Sequence, residues 1–159
     1  MPIVNNVTRL LDARKIPYTA FELSPVKRGA LTTAQLLGVE PASVYKTIVV
    51  TREKSVKKKA LLAVIPGPNQ VDLKAVAAFL GEKKVYLATE REAEQWTGLQ
   101  AGGISPLALL NKGFQVLLDA SARKQAEIHV SGGQRGLSLR IPVDAFIEIT
   151  KAQVAVVSS

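Results

Sequence analysis

The sequence contains no cysteine among its 159 residues, and histidine occurs only once, at His129. The missing cysteines exclude a disulfide scaffold, a cysteine-ligated metal or iron–sulfur centre, and a thiol nucleophile supplied by the protein. One imidazole cannot build a multi-histidine zinc site, and a Ser-His-Asp triad would depend on that single side chain. Any chemistry must therefore rely on lysine, hydroxyls, carboxylates, backbone amides or the substrate itself.

Aromatic residues and long apolar segments are also scarce. Phenylalanine, tryptophan and tyrosine make up 5% of the chain, which disfavours a single-strand-binding module that works by base stacking. No segment approaches the roughly 18 apolar residues that span a membrane. The N-terminus lacks the basic and apolar regions of a signal peptide. From these absences we expect a soluble cytoplasmic protein that does not act at a membrane.

Positive charge, in contrast, is abundant, with a formal net charge of +8. Such an excess favours a polyanionic partner, above all nucleic acid. A lysine-rich solvated surface is the alternative interpretation. The lysine run at residues 57–59 lies in a predicted hairpin connection. It fits either interpretation, since exposed lysines also attract phosphates without regard to base sequence.

Length and apolar content predict one domain over residues 1–159, because a hydrophobic fraction of 47% is ample for a core at this size. Apolar spacing and end signals predict helices at residues 4–15, 32–38, 72–81, 89–96 and 142–149. Apolar, β-branched runs predict strands at residues 18–23, 44–50, 60–65, 84–88, 114–118, 127–130 and 137–141. Together these elements predict an α+β fold with a mixed, mostly antiparallel curved sheet of six or seven strands, a partial barrel, flanked by helices.

Several of these helices carry specific signals at their ends. Thr32 with Gln35, and Thr89 with Glu92, match the capping-box pattern in which two side chains satisfy two backbone N–H groups. Asp72 is suited to the N-cap of the third helix. Terminal glycines are expected to end two helices, at Gly38 and Gly81.

Lys46 is the first candidate for a functional side chain. It interrupts the apolar run 44–50, and lysine is rarely placed inside such a strand without a partner. An ammonium held there can bind a phosphate or stabilise negative charge on a carbonyl oxygen. The alternative is that Lys46 lies on the polar face of an edge strand or extends into solvent.

Two glycine-rich segments are the second and third candidates. Residues 102–106 read GGISP, and residues 131–136 read SGGQRG. Paired glycines let backbone N–H groups approach a ligand oxygen, as in an anion nest or an oxyanion hole, and Arg135 adds a planar cation suited to phosphate. Ordinary turns are the alternative for both segments. We interpret His129 as structural, since it alternates with apolar neighbours in a strand.

Four motifs occur in a fixed order: residues 44–47 (VYKT), 71–74 (VDLK), 102–106 and 130–137. In this combination the chain resembles the YbaK/EbsC family of bacterial aminoacyl-tRNA deacylases, which are related to the editing domain inserted in prolyl-tRNA synthetases. The resemblance extends from the first predicted helix almost to the C-terminus. The glycine motifs are similar to those of the branch that acts on Cys-tRNA(Pro).

The resemblance implies a trans-editing hydrolase that removes a wrongly attached amino acid, chiefly cysteine, from proline tRNA. It implies no metal and no cofactor. The implied partners are the 3′ CCA end of an aminoacyl-tRNA and, transiently, prolyl-tRNA synthetase. Two alternatives stay open: a deacylase for another small amino acid such as alanine on proline tRNA, and a non-catalytic module that binds a tRNA end.

The resemblance also implies roles for single residues and a mechanism. Catalytic roles fall to Lys46, Gly102 and Gly103, and substrate-binding roles fall to Ser131, Gly132, Gly133, Arg135 and Ser138. The implied mechanism is substrate-assisted, with the cysteine thiolate of the substrate attacking its own carbonyl; attack by water positioned at Ser131 is the alternative. Two features depart from the family pattern: segment 19–25 is shorter than its usual counterpart, and Ser138 stands where some members carry aspartate. Both bear on the implied pocket for the amino acid, and so on which amino acid the enzyme prefers.

Overall fold

The structure, a computed structural model, describes residues 3–159, and the first two residues of the predicted domain lie outside this range. Its five α-helices are α1 (Asn6–Ala13), α2 (Ala30–Leu37), α3 (Leu73–Leu80), α4 (Glu90–Thr97) and α5 (Val143–Thr150). Its eight strands are β1 (Thr19–Glu22), β2 (Tyr45–Thr51), β3 (Ala60–Pro66), β4 (Tyr86–Leu87), β5 (Gln115–Asp119), β6 (Glu127–Ser131), β7 (Leu137–Pro142) and β8 (Gln153–Ala155). Within residues 3–159, no helix has the length and apolar character needed to cross a membrane.

The strands form two sheets. A three-stranded antiparallel sheet has the order β1-β7-β6, and a five-stranded sheet has the order β4-β2-β3-β5-β8, in which β5 is parallel to both β3 and β8. A single parallel bridge between Val44 and His129 connects the two sheets. The predicted α+β class and mostly antiparallel pairing are confirmed, with the strands divided between two sheets and no closed barrel among the described residues.

The strand β3 is the centre of the hydrophobic core, because all seven of its residues are buried. Its side chains alternate between two apolar clusters, one on each face of the five-stranded sheet. Leu62 and Val64 belong to the larger cluster, which also receives α1, α5 and the three-stranded sheet. Leu61 and Ile65 belong to the smaller cluster under α3. Each such aliphatic side chain contributes about 1.5–3 kcal/mol when fully buried, so this strand holds the two layers together.

Local capping signals explain most helix ends. The capping box between Thr89 and Glu92 is present with both of its hydrogen bonds, as predicted. Asp72 caps α3 by accepting a hydrogen bond from the N–H of Ala75 at 3.0 Å. Gly38 and Gly81 end α2 and α3 in the left-handed conformation that glycine adopts without a Cβ penalty.

The predicted capping box at Thr32 and Gln35 is wrong. The helix α2 begins two residues earlier, with Gly29 as its N-cap and without a side-chain cap. The carbonyl oxygen of Gly29 accepts hydrogen bonds from both the N–H and the hydroxyl of Thr33, each at 3.1 Å. The first turn therefore closes before Thr32 can act as a cap. The short strand β8 is also absent from the prediction, because three residues give too little alternation to be detected.

His129 lies in β6 on the face opposite to its apolar neighbours. Its side chain is only 4% exposed, its ring centroid lies 5.5 Å from that of Phe21, and its Nδ1 has no hydrogen-bond partner. Burial lowers the pKa of His129 below its ordinary value of 6.5, and the nearby charge of Arg140 lowers it further. The folded protein therefore holds this imidazole in its neutral form.

We predict that the stability of the protein decreases as the pH falls below about 6.5, because the unfolded chain binds a proton on His129 more readily than the folded chain does. The variant His129→Gln cannot bind this proton. Its melting temperature should change less between pH 7.5 and pH 5 than that of the wild type. Thermal unfolding followed by circular dichroism measures both, and an equal change in the two proteins would contradict the prediction.

Candidate active site

One cleft, with a cavity volume of about 280 Å³, lies where the start of β2 meets α2, the 101–104 loop and the adjoining ends of β6 and β7. Four of the predicted site residues line it: Lys46, Gly102, Ser131 and Ser138. These residues are far apart in the sequence, and the sheet topology brings them to one place. The other four predicted residues, Gly103, Gly132, Gly133 and Arg135, do not line the cleft.

Lys46 enters the cleft from β2, which lies between β3 and β4 in the five-stranded sheet. The strand β4 pairs with β2 only at Val50 and Thr51, so at Lys46 the ladder of β2 is formed with β3 alone. Its side chain is half-buried, and its Nζ donates a hydrogen bond to the carbonyl oxygen of Gly67 at 3.0 Å. Burial lowers the pKa of Lys46 below its ordinary value, so an anion beside it would favour the charged form of the amine.

Gly67, which orients the lysine, was missed by sequence reasoning. Its N–H donates to the carbonyl oxygen of Val44 at 2.7 Å, which folds the turn after β3 back over the start of β2. A Cβ at this position would lie 2.9 Å from the Cβ of Ala30 and 3.2 Å from the oxygen of Val44. A glycine between two prolines directly after a buried strand, at residues 66–68, was the available signal.

The two glycines of the first loop have different surroundings. Gly102 has a φ of +89°, is exposed to the cleft, and its N–H has no hydrogen-bond partner among residues 3–159. Gly103 is buried, and its N–H donates to the carbonyl oxygen of Gln100 at 2.8 Å. A Cβ on Gly103 would lie 2.8 Å from the backbone nitrogen of Arg135. Gly103 therefore permits close packing of the two loops, while Gly102 lines the cleft with an N–H that is not bonded within the described part of the chain.

The second loop presents hydroxyl groups to the cleft. Ser131 and Ser138 are direct cross-strand neighbours at the ends of β6 and β7. The hydroxyl oxygen of Ser131 accepts a hydrogen bond from the N–H of Gly133 at 3.1 Å. The side chain of Ser138, only 6% exposed, makes no hydrogen bond within the described part of the chain. Both hydroxyls can therefore donate to a ligand, and that of Ser138 can also accept.

The remaining residues of this loop hold its shape. The N–H of Gly132 donates to the carbonyl oxygen of Leu137 at 2.8 Å, which closes the loop on itself. The Nε of Arg135 donates to the carbonyl oxygen of Ala101 at 2.7 Å, so this guanidinium connects the second loop to the first. A Cβ on Gly132 would lie 2.5 Å from the side chain of Leu137. These glycines and Arg135 therefore position the loops, and their contacts are made within the protein.

Gly136 also lines the cleft, although the sequence offered no role for it. It has a φ of +88°, and a Cβ there would lie 2.6 Å from the carbonyl oxygen of Leu23. Its own carbonyl oxygen accepts a hydrogen bond from the N–H of Leu23 at 2.8 Å. Gly136 thus lets the segment after β1 close one side of the cleft.

The charge of the cleft is positive. Lys46 and Arg28 are its two cations, and none of the described residues that line it is a carboxylate or a histidine. No cluster of three or more possible metal ligands of the His, Cys, Asp or Glu type occurs among residues 3–159. The arrangement can bind an anionic ligand and stabilise negative charge on an oxygen.

The fold and this site define a class of protein. The family described as "Aminoacyl-tRNA editing domain" matches residues 24–149, which is most of the chain. The chain belongs to the aminoacyl-tRNA editing domain family, and the resemblance inferred from the four sequence motifs is confirmed. The prediction that the protein is an aminoacyl-tRNA editing enzyme is confirmed at the level of this family.

Particular relatives agree with this assignment. The chain is 32% identical, over 97% of its length and 93% of the relative's, to EbsC of Enterococcus faecalis (strain ATCC 700802 / V583), a candidate Cys-tRNA(Pro)/Cys-tRNA(Cys) deacylase. A crystal structure of a candidate trans-editing enzyme for prolyl-tRNA synthetase is similar with a TM-score of 0.80 and 26% identity, covering 99% of both chains. The hypothetical protein APE2540 is similar with a TM-score of 0.86 and 25% identity, covering 98% of this chain and all of that one.

We predict that Gly103→Ala destabilises the protein by about 2–3 kcal/mol, because its Cβ would meet the backbone of the second loop, which cannot give way like a flexible side chain. The matched control is Gly29→Ala, whose Cβ would have no neighbour within 4 Å and which should cost less than about 1 kcal/mol. Denaturant unfolding of both variants measures the two costs. Equal costs would show that the two loops are not closely packed at this point.

Proposed function

We propose that this protein hydrolyses the ester between a wrongly attached amino acid and the 3′ ribose of tRNA, chiefly cysteine on proline tRNA. The observation that carries the proposal is a cleft whose lining, within residues 3–159, includes a half-buried lysine and a glycine N–H without a hydrogen-bond partner, and no carboxylate or imidazole. A charged tRNA end offers this cleft phosphate oxygens and an ester carbonyl. Family membership and the similarity to EbsC support the same substrate class.

In this proposal Lys46 and Gly102 are the catalytic residues. The ammonium of Lys46, oriented by the carbonyl of Gly67, binds the 3′-terminal nucleotide beside the ester. The N–H of Gly102 donates to the carbonyl oxygen as negative charge develops on it. Gly103 contributes by holding the loop in place, since its own N–H is already bonded within the turn. Both donors act without proton transfer from the protein.

The residues proposed for substrate binding fall into two groups, those that contact the substrate and those that position the loops. Ser131 and Ser138 line the cleft and contact the amino acid or the ribose. Gly132, Gly133 and Arg135 act as positioning residues, since their contacts hold the second loop against the first. The cleft is therefore shaped by backbone packing and is not built around a catalytic side-chain dyad.

In this proposal the nucleophile comes from the substrate, since the described residues that line the cleft include no carboxylate or imidazole. The thiolate of the attached cysteine attacks its own carbonyl carbon, a carbon–sulfur bond forms, and the ester carbon–oxygen bond breaks. The ribose oxygen leaves with the electron pair and takes up a proton, which releases free tRNA. Water then hydrolyses the strained cyclic thioester to cysteine. Attack by a water bound near Ser131 is the alternative route.

Selection of the proline tRNA is proposed to come from a transient complex with prolyl-tRNA synthetase. Similarity to a candidate trans-editing enzyme for that synthetase supports this partner. A synthetase pocket cannot strongly reject cysteine in place of proline, since the side chains are similar in size, so a separate hydrolytic step is needed. We place this step in the cytoplasm, where tRNA is charged.

We predict that Lys46→Ala lowers the rate of deacylation of Cys-tRNA(Pro) by about 100- to 1000-fold, the loss typical for one well-aimed donor to a developing charge. Lys46→Arg should recover only part of the activity, because a planar guanidinium does not reproduce the contact of a compact ammonium with Gly67. Single-turnover release of labelled cysteine measures both. Circular dichroism should show that the variants are folded, and an active, folded Lys46→Ala protein would reject the assigned role.

Replacing the amino acid distinguishes the proposed mechanism from its alternatives. We expect the protein to hydrolyse Cys-tRNA(Pro) at a rate about 100-fold or more above its rate with Ser-tRNA(Pro). The reason is that a thiol with a pKa near 8.5 is partly ionised near pH 7, whereas a hydroxyl is rarely ionised. Equal rates for both substrates would favour attack by water. A faster reaction with Ala-tRNA(Pro) would show that the enzyme acts chiefly on alanine. If the protein hydrolyses none of the three substrates, it is instead a non-catalytic module that binds tRNA ends.

A further inference from the structure

A large set of basic side chains gathers at one end of the five-stranded sheet. The connection from β2 to β3 lies at this end and contains Arg52 and four lysines. Because β4 is antiparallel to β2, the residues that precede β4 lie at the same end. Because β5 and β8 are parallel to β3, the residues that precede these strands lie there too. We call this group the basic end; its members are Arg52, Lys54, Lys57, Lys58, Lys59, Lys83, Lys84, Lys112 and Lys151.

The charges of the basic end are exposed and mostly unpaired. All eight lysines are exposed, and none of them forms a salt bridge within residues 3–159. Arg52 lies 3.9 Å from the carboxylate of Glu82, and Glu53 is the other carboxylate in these connections. With Glu92 of α4, which lies beside Lys54, three carboxylates accompany the nine cations, and the excess of positive charge gives this end of the molecule a strong positive potential.

The basic end and the cleft lie at opposite ends of β2. Lys46 is at the beginning of the strand, and the hairpin connection starts after Thr51. At about 3.3 Å per residue the strand separates the two sites by roughly 20 Å. This distance corresponds to about six stacked nucleotides at roughly 3.4 Å each, so a single RNA can reach both sites.

The start of α4 connects the rim of the cleft to the basic end. Lys27, in the loop beside the cleft, forms a salt bridge with Glu90 at 2.8 Å. Two residues further along the same helix, Glu92 lies next to Ser55 and Lys54 of the hairpin connection. The two sites are thus joined along one continuous surface.

We propose that the basic end binds phosphate groups in the double-helical arm of the RNA whose 3′ end occupies the cleft. This inference rests on the proposed function and deepens it, since it names the part of the tRNA that the protein contacts outside the cleft. Protein–protein interfaces are depleted in lysine, whereas exposed lysines neutralise phosphates without reading base sequence. Such a surface increases affinity for any tRNA and leaves discrimination to the cleft and to a partner.

The direct test measures binding of uncharged tRNA, which requires no hydrolysis. The double variant Lys57→Gln/Lys58→Gln is compared with Arg123→Gln/Lys124→Gln, which removes the same charge beyond β5, at the opposite end of the sheet. Dissociation constants are measured between 50 and 200 mM salt. We expect the first variant to bind about fivefold more weakly at 50 mM salt. The slope of the logarithm of its dissociation constant against the logarithm of the salt concentration should be smaller by about 1.5, while the second variant behaves like the wild type.

Two further outcomes separate this inference from the proposed function. With charged full-length tRNA the Lys57→Gln/Lys58→Gln protein should lose kcat/KM, but with a short charged 3′-terminal fragment it should match the wild type. If deacylation of full-length tRNA and tRNA affinity are both unchanged, the inference is overturned and the proposed function stands. If binding to polyglutamate is weakened while tRNA binding is not, the basic end is a surface for acidic proteins and the inference is likewise overturned.

Discussion

The structure of the site depends on the close backbone approach of two loops that are separated in the sequence by about thirty residues. Gly103 has no room for a Cβ because the backbone of Arg135 lies against it, and the guanidinium of Arg135 donates to the carbonyl of Ala101. These contacts set the position of Gly102 relative to the hydroxyls at the ends of β6 and β7. The bridge between Val44 and His129 then places both loops beside Lys46. The shared hydrophobic cluster holds the two sheets together around this bridge.

The composition of the cleft limits what the protein can contribute to a reaction. Among residues 3–159, those that line it supply cations, hydroxyls and the N–H of Gly102, and none is a carboxylate or an imidazole. The one histidine is buried in the small sheet beside Phe21, away from the cleft. Such a site can bind an anionic ligand and stabilise developing negative charge on an oxygen.

Most of the fold could be predicted from local patterns, and the exceptions have identifiable causes. The capping box at Thr89 and the cap at Asp72 depend on residues three apart, so the sequence shows them directly. At α2 the pattern beginning with Thr32 was equally good, but the first turn formed on Gly29 because Thr33 bonds to its carbonyl twice. The strand β8 depends on its neighbour β5 for pairing, and three residues carry no pattern of their own.

The sequence by itself determined the main helices and strands, the net positive charge, the absence of a protein thiol, and the presence of a lysine inside an apolar strand. The tertiary structure alone decided that Gly102 lines the cleft while Gly103 is buried between the loops, that Gly67 orients Lys46, and that the basic residues collect at one end of a sheet. The physical reason is the range of the interactions. Helix caps and strand alternation involve neighbours in the chain, whereas the approach of two backbones depends on strand order and register, which no short segment encodes.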